Sequence, residues 1–288
     1  MLRILLFLGT NIAIIALISI VFSLFGFQGI LASNGVDLDL TALLVYSAII
    51  GFSGAFISLL ISKWMAKRTM GVHVIQKPQD ATERWLMQTV ARLAEKSKIG
   101  MPEVGIFQSH SPNAFATGWN RNSALVAVST GLLDAMTQDE VEAVLAHEVA
   151  HVANGDMVTM TLVQGVVNTF VVFLSRVIGY VVDRVVFKVE RGHGPAFWIV
   201  SIVSQIVLGF LATMVIMWFS RYREFRADAG AAELVGKHKM RAALIRLKND
   251  KSSPDMPDEM AAFAINAGKI SALFSSHPPL EDRIKALE

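Results

Sequence analysis

The chain has 288 residues, of which 53% are hydrophobic and 17% charged, with a formal net charge of +2 and no cysteine. That balance is too apolar for an ordinary soluble protein and gives no case for nucleic acid as a partner. Without cysteine there are no disulfides and no thiolate-bound metals, so any metal must be held by His and carboxylates.

In chain order, the first element is an apolar run from Ile4 to Phe27, broken by Thr10, Asn11, Ser19 and Ser23. It is longer than the core of a signal peptide and no convincing cleavage site follows, so it reads as an uncleaved transmembrane helix. Ala42 to Ser62 is a second span. Its Ser47, Gly51, Gly54 and Ser58 share a face, which predicts close helix packing. Arg3 precedes this pair, and Lys63, Lys67 and Arg68 follow it. The connecting loop carries Asp37 and Asp39 but no Lys or Arg. The positive-inside bias puts both ends of the hairpin in the cytoplasm.

The segment from Lys63 to Asp156 is polar and carries the signals of a small folded domain. Asp80 with Glu83 predicts a helix start, and Gly100 its end. Val104 to Phe107 and Ala124 to Val128 read as short strands on either side of a Ser/Pro/Asn/Gly-rich loop. Thr137 with Glu140 predicts a second capped helix, stopping near Asn154-Gly155. Two more apolar runs follow, Met157 to Val182 and Ala196 to Phe219. Thr161, Gln164, Asn168 and Ser175 form a polar stripe on the first; Ser201, Gln205, Gly209 and Thr213 form one on the second. Both runs are expected to span, although the loop between them carries Arg184, Lys188 and Arg191. Arg176 reads as a snorkelling interfacial charge. From Arg221 onward the pattern is of amphipathic helices, with a polar linker at Lys251 to Asp258. The expected organisation is thus 1–62, a membrane hairpin; 63–156, the first part of a polar domain; 157–219, a second membrane pair; and 220–288, a helical part that completes the domain.

The chemistry concentrates in His147-Glu148-Val149-Ala150-His151, on the second capped helix. Four residues is one helical turn, so both imidazoles lie on one face and can ligate one ion. Glu148 is turned about 100° from His147 and can act as base toward water attacking a peptide carbonyl. A His pair on a helix is otherwise a surface or structural feature. The third ligand must be His or carboxylate. Glu224 and Asp228 are a candidate pair, one to bind metal and the other to orient a ligand His. By themselves they would pass for a charged helix face. A hairpin formed by the two intervening apolar runs returns them to the side of the membrane that carries the HEVAH helix.

With these pieces assembled, the sequence resembles the HtpX group of M48 metallopeptidases, membrane proteases of the bacterial heat-shock response. The resemblance covers essentially the whole chain: SKWMAKR after the first hairpin, NAFATG at 113–118, VAVSTGLL at 126–133, AHEVAHVANGDMVTMTLVQGVVNTF, MWFSRYREFRADAGAA, and SHPPLEDRI. It implies a mainly α fold with a small β element. About four transmembrane helices would carry a cytoplasm-facing, gluzincin-type peptidase domain. It further implies one zinc ion held by His147, His151 and Glu224, Glu148 as catalytic base, and Asp228 beside the ligands. Asn113, Ala114, Phe115 and Ala116 match the edge strand on which substrate is laid, and β-augmentation supplies the physical reason.

His277 recurs at its place in the family, either as an oxyanion donor or in a capping or packing role before a Pro-started helix. Arg226 would be an oxyanion donor or, preferably, an ion-pair partner of the carboxylates. His73, His110, His193 and His238 read as surface residues. The implied work is endoproteolysis of misfolded membrane proteins, with both termini and the active site on the cytoplasmic side of the inner membrane. Polypeptides and the lipid bilayer are the implied partners, with a homo-oligomer or other quality-control proteases left open. An intramembrane site-2-type protease would need its motif inside an apolar span, but Glu140, Glu142, Asn154 and Asp156 flank this one. A scaffold without turnover has no use for Glu148, and a gated transporter predicts an internal repeat that the sequence lacks.

Overall fold

The computed structural model describes residues 38–190, 192–249 and 275–288. The Ile4 to Phe27 run and the Lys251 to Asp258 linker lie outside them. The described residues fall into two units. One holds those up to Ile57 together with Thr161–Ile216, and the other holds Ser58–Met160 with the described part of Met217–Glu288.

Three helices among the described residues are long and apolar enough to cross a membrane: α1 (Leu40–Thr69), α5 (Asp156–Val181, continued by a π-helical turn, Val182–Val186) and α6 (Pro195–Val235). Asp39 starts α1 by accepting hydrogen bonds from the Thr41 and Ala42 amides at 2.9 and 3.0 Å. The small-residue stripe on α1 packs over only part of its length. Ser47 is buried, and a Cβ at Gly51 would meet the Thr169 amide nitrogen of α5 at 2.6 Å. Gly54 faces open space and Ser58 is exposed, so the expected four-residue seam is corrected to its first half.

A second close approach joins α5 to α6, where a Cβ at Gly179 would collide with Ser201. The polar stripes likewise turn inward only in part. On α5, Gln164 donates to Asn168 and Ser175 is buried; on α6, Ser201 is buried but Gln205 is exposed. The basic loop after α5 is folded onto buried Asp183, which accepts from the Gly194 and Phe197 amides at 2.9 and 3.2 Å and so caps α6. Arg176, expected to snorkel, lies over the rings of Phe197 and Trp198, 5.6 Å from each centroid.

In the other unit, a four-stranded sheet has the order β1-β2-β4-β3, with β1 (His73–Val74), β2 (Glu103–Phe107), β3 (Ala114–Gly118) and β4 (Ala124–Ser129). β2 and β4 are the expected strands, paired in parallel; β3 runs antiparallel to β4. The polar stretch read from composition as a loop therefore contains a strand at the sheet's edge, where the resemblance implied one for 113–116. Helix α2 (Ala81–Lys96) is capped by Asp80, whose side chain accepts from the Glu83 amide. It ends before Gly100: the chain turns through Lys98, at φ 54°, and Gly100 is instead held by Asn122.

A short helix, α3 (Thr130–Ala135), leads to α4 (Gln138–Asn154). After α6, α7 (Lys237–Asn249) and α8 (Leu280–Ala286) complete the unit. Leu86, Val90 and Leu93 of α2, Val126 and Val128 of β4, Leu145 and Val149 of α4, and Met240 and Leu244 of α7 share one core. At about 1.5–3 kcal/mol for each large aliphatic side chain withdrawn from water, that burial is the main force holding the helices on the sheet. At its rim, Arg92 and Lys239 both bind Glu142 of α4, Lys239 at 2.6 Å.

Candidate metal centre

Helix α4 starts at a complete capping box. The Thr137 amide donates to Glu140 Oε2 at 2.8 Å, and the Glu140 amide donates to Thr137 Oγ1 at 3.4 Å. It stops at Gly155, whose φ of 67° suits a residue without a side chain. Between these signals, one turn sets the rings of His147 and His151 edge to face, centroids 4.6 Å apart, with their Nε2 atoms 3.1 Å from each other. Glu224, on α6, brings Oε1 to 3.1 Å from His151 Nε2 and Oε2 to 3.4 Å from His147 Nε2. The three ligand-type atoms lie within 4.8 Å of one another.

The outer nitrogens are held as firmly. His147 Nδ1 is 2.9 Å from Asp228 Oδ1, and His151 Nδ1 is 2.7 Å from Asp156 Oδ2. A carboxylate on each outer nitrogen fixes the ring and turns the other nitrogen inward, where it could serve as a ligand. Asp156 is itself paired with Arg223, and Arg283 of α8 forks onto both oxygens of Asp228 at 2.8 and 2.6 Å. His147, Glu224, Asp228 and Arg283 are all buried. Two imidazole nitrogens facing each other beside a buried carboxylate require a proton or a cation between them. The donor set of two nitrogens and one carboxylate suits zinc.

Proton occupancy follows the same logic. Burial works against a charged His147, but the hydrogen bonds it donates to Asp228 and Glu224 outweigh it and raise its pKa above the ordinary value. His151 is also raised. There burial is overcome by the Glu224 hydrogen bond and by the charge of Glu148.

Glu148 is half-buried and lines a cavity of about 690 Å³ together with Asn113, Ala114, His147, His277 and Arg283. Strand β3 packs along α4. Its entry is pinned by Asn113, whose amide donates to Ser129 Oγ at 2.9 Å and whose carbonyl accepts from the Ser129 amide at 2.8 Å. Ala114 and Ala116 face the core, while Phe115 meets Phe107 at 5.4 Å.

His277 does not cap the helix that follows it, which starts at Pro279 without a side-chain cap; its Nδ1 is 2.7 Å from Glu224 Oε2. Arg226 is corrected. Two residues beyond Glu224 it is turned about 200° around the helix, and it is exposed. The guanidinium that pairs with the carboxylates is that of Arg283. The sequence reading missed Arg283, Asp156 and Arg223. A signal was available for the first: Leu280, Arg283, Ile284 and Leu287 fall at i, i+3, i+4 and i+7, placing a charge on the apolar face of a helix.

Residues 80–288 match the model of peptidase family M48. The whole chain is 75% identical to "Protease HtpX" of Pseudoalteromonas atlantica, over 99% of that protein. It is 62% identical to "Protease HtpX" of Thioalkalivibrio sulfidiphilus, over 99% of this chain and 98% of that one. Among solved structures it resembles the crystal structure of S. mikatae Ste24p, at a TM-score of 0.62 and 19% identity. That match covers 97% of this chain and 66% of the other, and it speaks for the fold. The chain belongs to peptidase family M48, in its HtpX group, and is a metallopeptidase.

Proposed function

We propose that the protein is a zinc-dependent endopeptidase of the bacterial inner membrane that cuts misfolded or damaged membrane proteins on the cytoplasmic side. The observation that carries this reading is the convergence of His147 Nε2, His151 Nε2 and the Glu224 carboxylate beside Glu148, at the foot of an edge strand. His147, His151 and Glu224 hold the ion; Asp228 and Asp156 orient the two imidazoles. When bound, zinc acts as a Lewis acid, lowering the pKa of water and taking up charge that develops on the carbonyl oxygen. The Glu148 carboxylate accepts a proton from the attacking water and returns it to the leaving nitrogen. His277 and Arg283 line the same cavity, where each is paired with Glu224. Asn113 and the outer edge of β3 at Ala114, Phe115 and Ala116 take the substrate main chain as a further strand.

The cytoplasmic orientation rests on Lys63, Lys67 and Arg68 after the second apolar run. Within this reading 1–62 and 157–219 form the membrane part, and 63–156 with 220–288 form the peptidase.

The test is Glu148→Gln in the full-length protein. Zinc content should be unchanged, while cleavage of an unfolded test protein in detergent disappears. Cleavage that survives in this variant, free of other proteases, overturns the mechanism.

A further inference from the structure

One end of the sheet carries exposed apolar and basic residues that the metal centre does not use. Glu103, the first residue of β2, is gripped by Lys67 and by Lys63 at 2.8 Å, both on α1 directly after its apolar stretch. Glu103 pairs with Leu125, and the adjacent Ala124 pairs with Gly118. The β3–β4 turn therefore begins two strands, roughly 10 Å, from Glu103. The Gly100 amide donates to Asn122 Oδ1 at 2.9 Å, which brings the turn after α2 to the same end.

There Trp119 is 49% exposed, Met101 44%, and Trp64 on α1 63%. Lys98 and Arg121 stand exposed among them. Gly118 holds φ at 141°, and a Cβ on it would meet the Ser123 carbonyl at 2.5 Å, so the turn presents Trp119 from a tightly closed hairpin.

We propose that this end of the sheet is a bilayer-contacting surface. Trp119, Met101 and Trp64 enter the headgroup region of the leaflet from which α1 emerges, while Lys98 and Arg121 meet anionic lipid phosphates. Tryptophan suits that depth because its ring is apolar and its N–H needs a polar partner. Glu103 adds no repulsion, since two lysines already neutralise it. The patch is also continuous with the exposed Leu60 and Ile61 of α1. The proposal rests on the reading of α1 as a membrane span. It places Asn113, six residues along the chain from Trp119, at most about 20 Å from the headgroups that Trp119 enters.

The absence of cysteine makes the test direct. Trp119→Cys in the full-length protein, labelled with an environment-sensitive fluorophore, is reconstituted in phosphatidylcholine vesicles with and without phosphatidylglycerol. Met101→Cys serves if the first variant misfolds. Quenching by shallow nitroxide lipids, strengthened by the anionic lipid, is the expected result. Asp134→Cys, on α3 beyond the opposite end of β4, should respond to aqueous iodide alone. Ile49→Cys on α1 should respond to deep nitroxide lipids. Iodide quenching at 119 with lipid quenching intact at 49 overturns the proposal by itself. Loss of lipid quenching at both overturns the span reading and the proposal with it. A label at 119 shielded from both quenchers means that protein, such as a second copy, covers the turn, and this also overturns the proposal.

Discussion

Arg283 and Asp228 meet side by side, Nε on Oδ2 at 2.8 Å and Nη2 on Oδ1 at 2.6 Å, within hydrogen-bonding distance of the ring that Asp228 orients. This fork is how α8 joins the candidate metal centre. Replacing Arg283 by Met nearly keeps the volume but leaves buried Asp228 without the guanidinium, with His147 alone as its partner. Deleting one partner of a buried pair costs about 3–5 kcal/mol. Calorimetry in detergent should show a clear fall in Tm, with Arg283→Lys intermediate because it keeps the charge and loses the fork. An unchanged Tm in the Met variant would show that the pair is dispensable.

Asp156 does for His151 what Asp228 does for His147. Asp156→Asn keeps the shape but gives up the negative charge that draws on His151 Nδ1–H. Outer partners of this kind are worth about 10–100-fold in metal affinity. Chelator competition should register that loss. Equal affinity in the variant and the parent would remove Asp156 from the centre.

Metal uptake should also depend on pH in one direction. Both ring pKa values are raised in the ion-free protein by the carboxylates around them. Stabilisation from the charged rings is fully present below the ordinary imidazole value and is lost as pH rises through the raised values. A cation must displace those protons, so zinc affinity climbs across the same window and protons are released on binding. Isothermal titration in buffers of differing ionisation enthalpy counts them. A zinc affinity flat with pH between the ordinary and raised values contradicts this account.

In the apolar unit, Gly51 and Gly54 share a helix face but not an environment. Gly51→Leu drives a side chain into the α5 backbone, and overpacking of this kind costs about 1–3 kcal/mol. Gly54→Leu meets open space and should be neutral. Thermal unfolding of the two variants in detergent separates them; equal Tm values would refute the close α1–α5 approach.

The elements that could be read from the sequence were those set by local chemistry. Thr137, Glu140 and Gly155 bound the HEVAH helix within a few residues, and β2 and β4 announce themselves through their apolar runs. β3 does not, because its strand character comes from pairing with β4, a relation between distant residues. Arg226 misled because its charge sits next to the acidic pair in sequence, whereas helical geometry turns it away. Arg283 lies 55 residues from Asp228, and only the folded chain brings them together. The length of α6 was hidden as well: Glu224 lies on the same uninterrupted helix as the apolar run before it.

The position of β3 has a consequence for selectivity. A lone outer edge can only be completed by a chain whose amides and carbonyls are free, and a folded segment has already committed those groups to itself. On the proposal that β3 takes the substrate main chain, this edge would sort its clients by conformational state before any side chain is consulted. On that same proposal, damage would be recognisable without a signal sequence, because unravelling would itself be the tag.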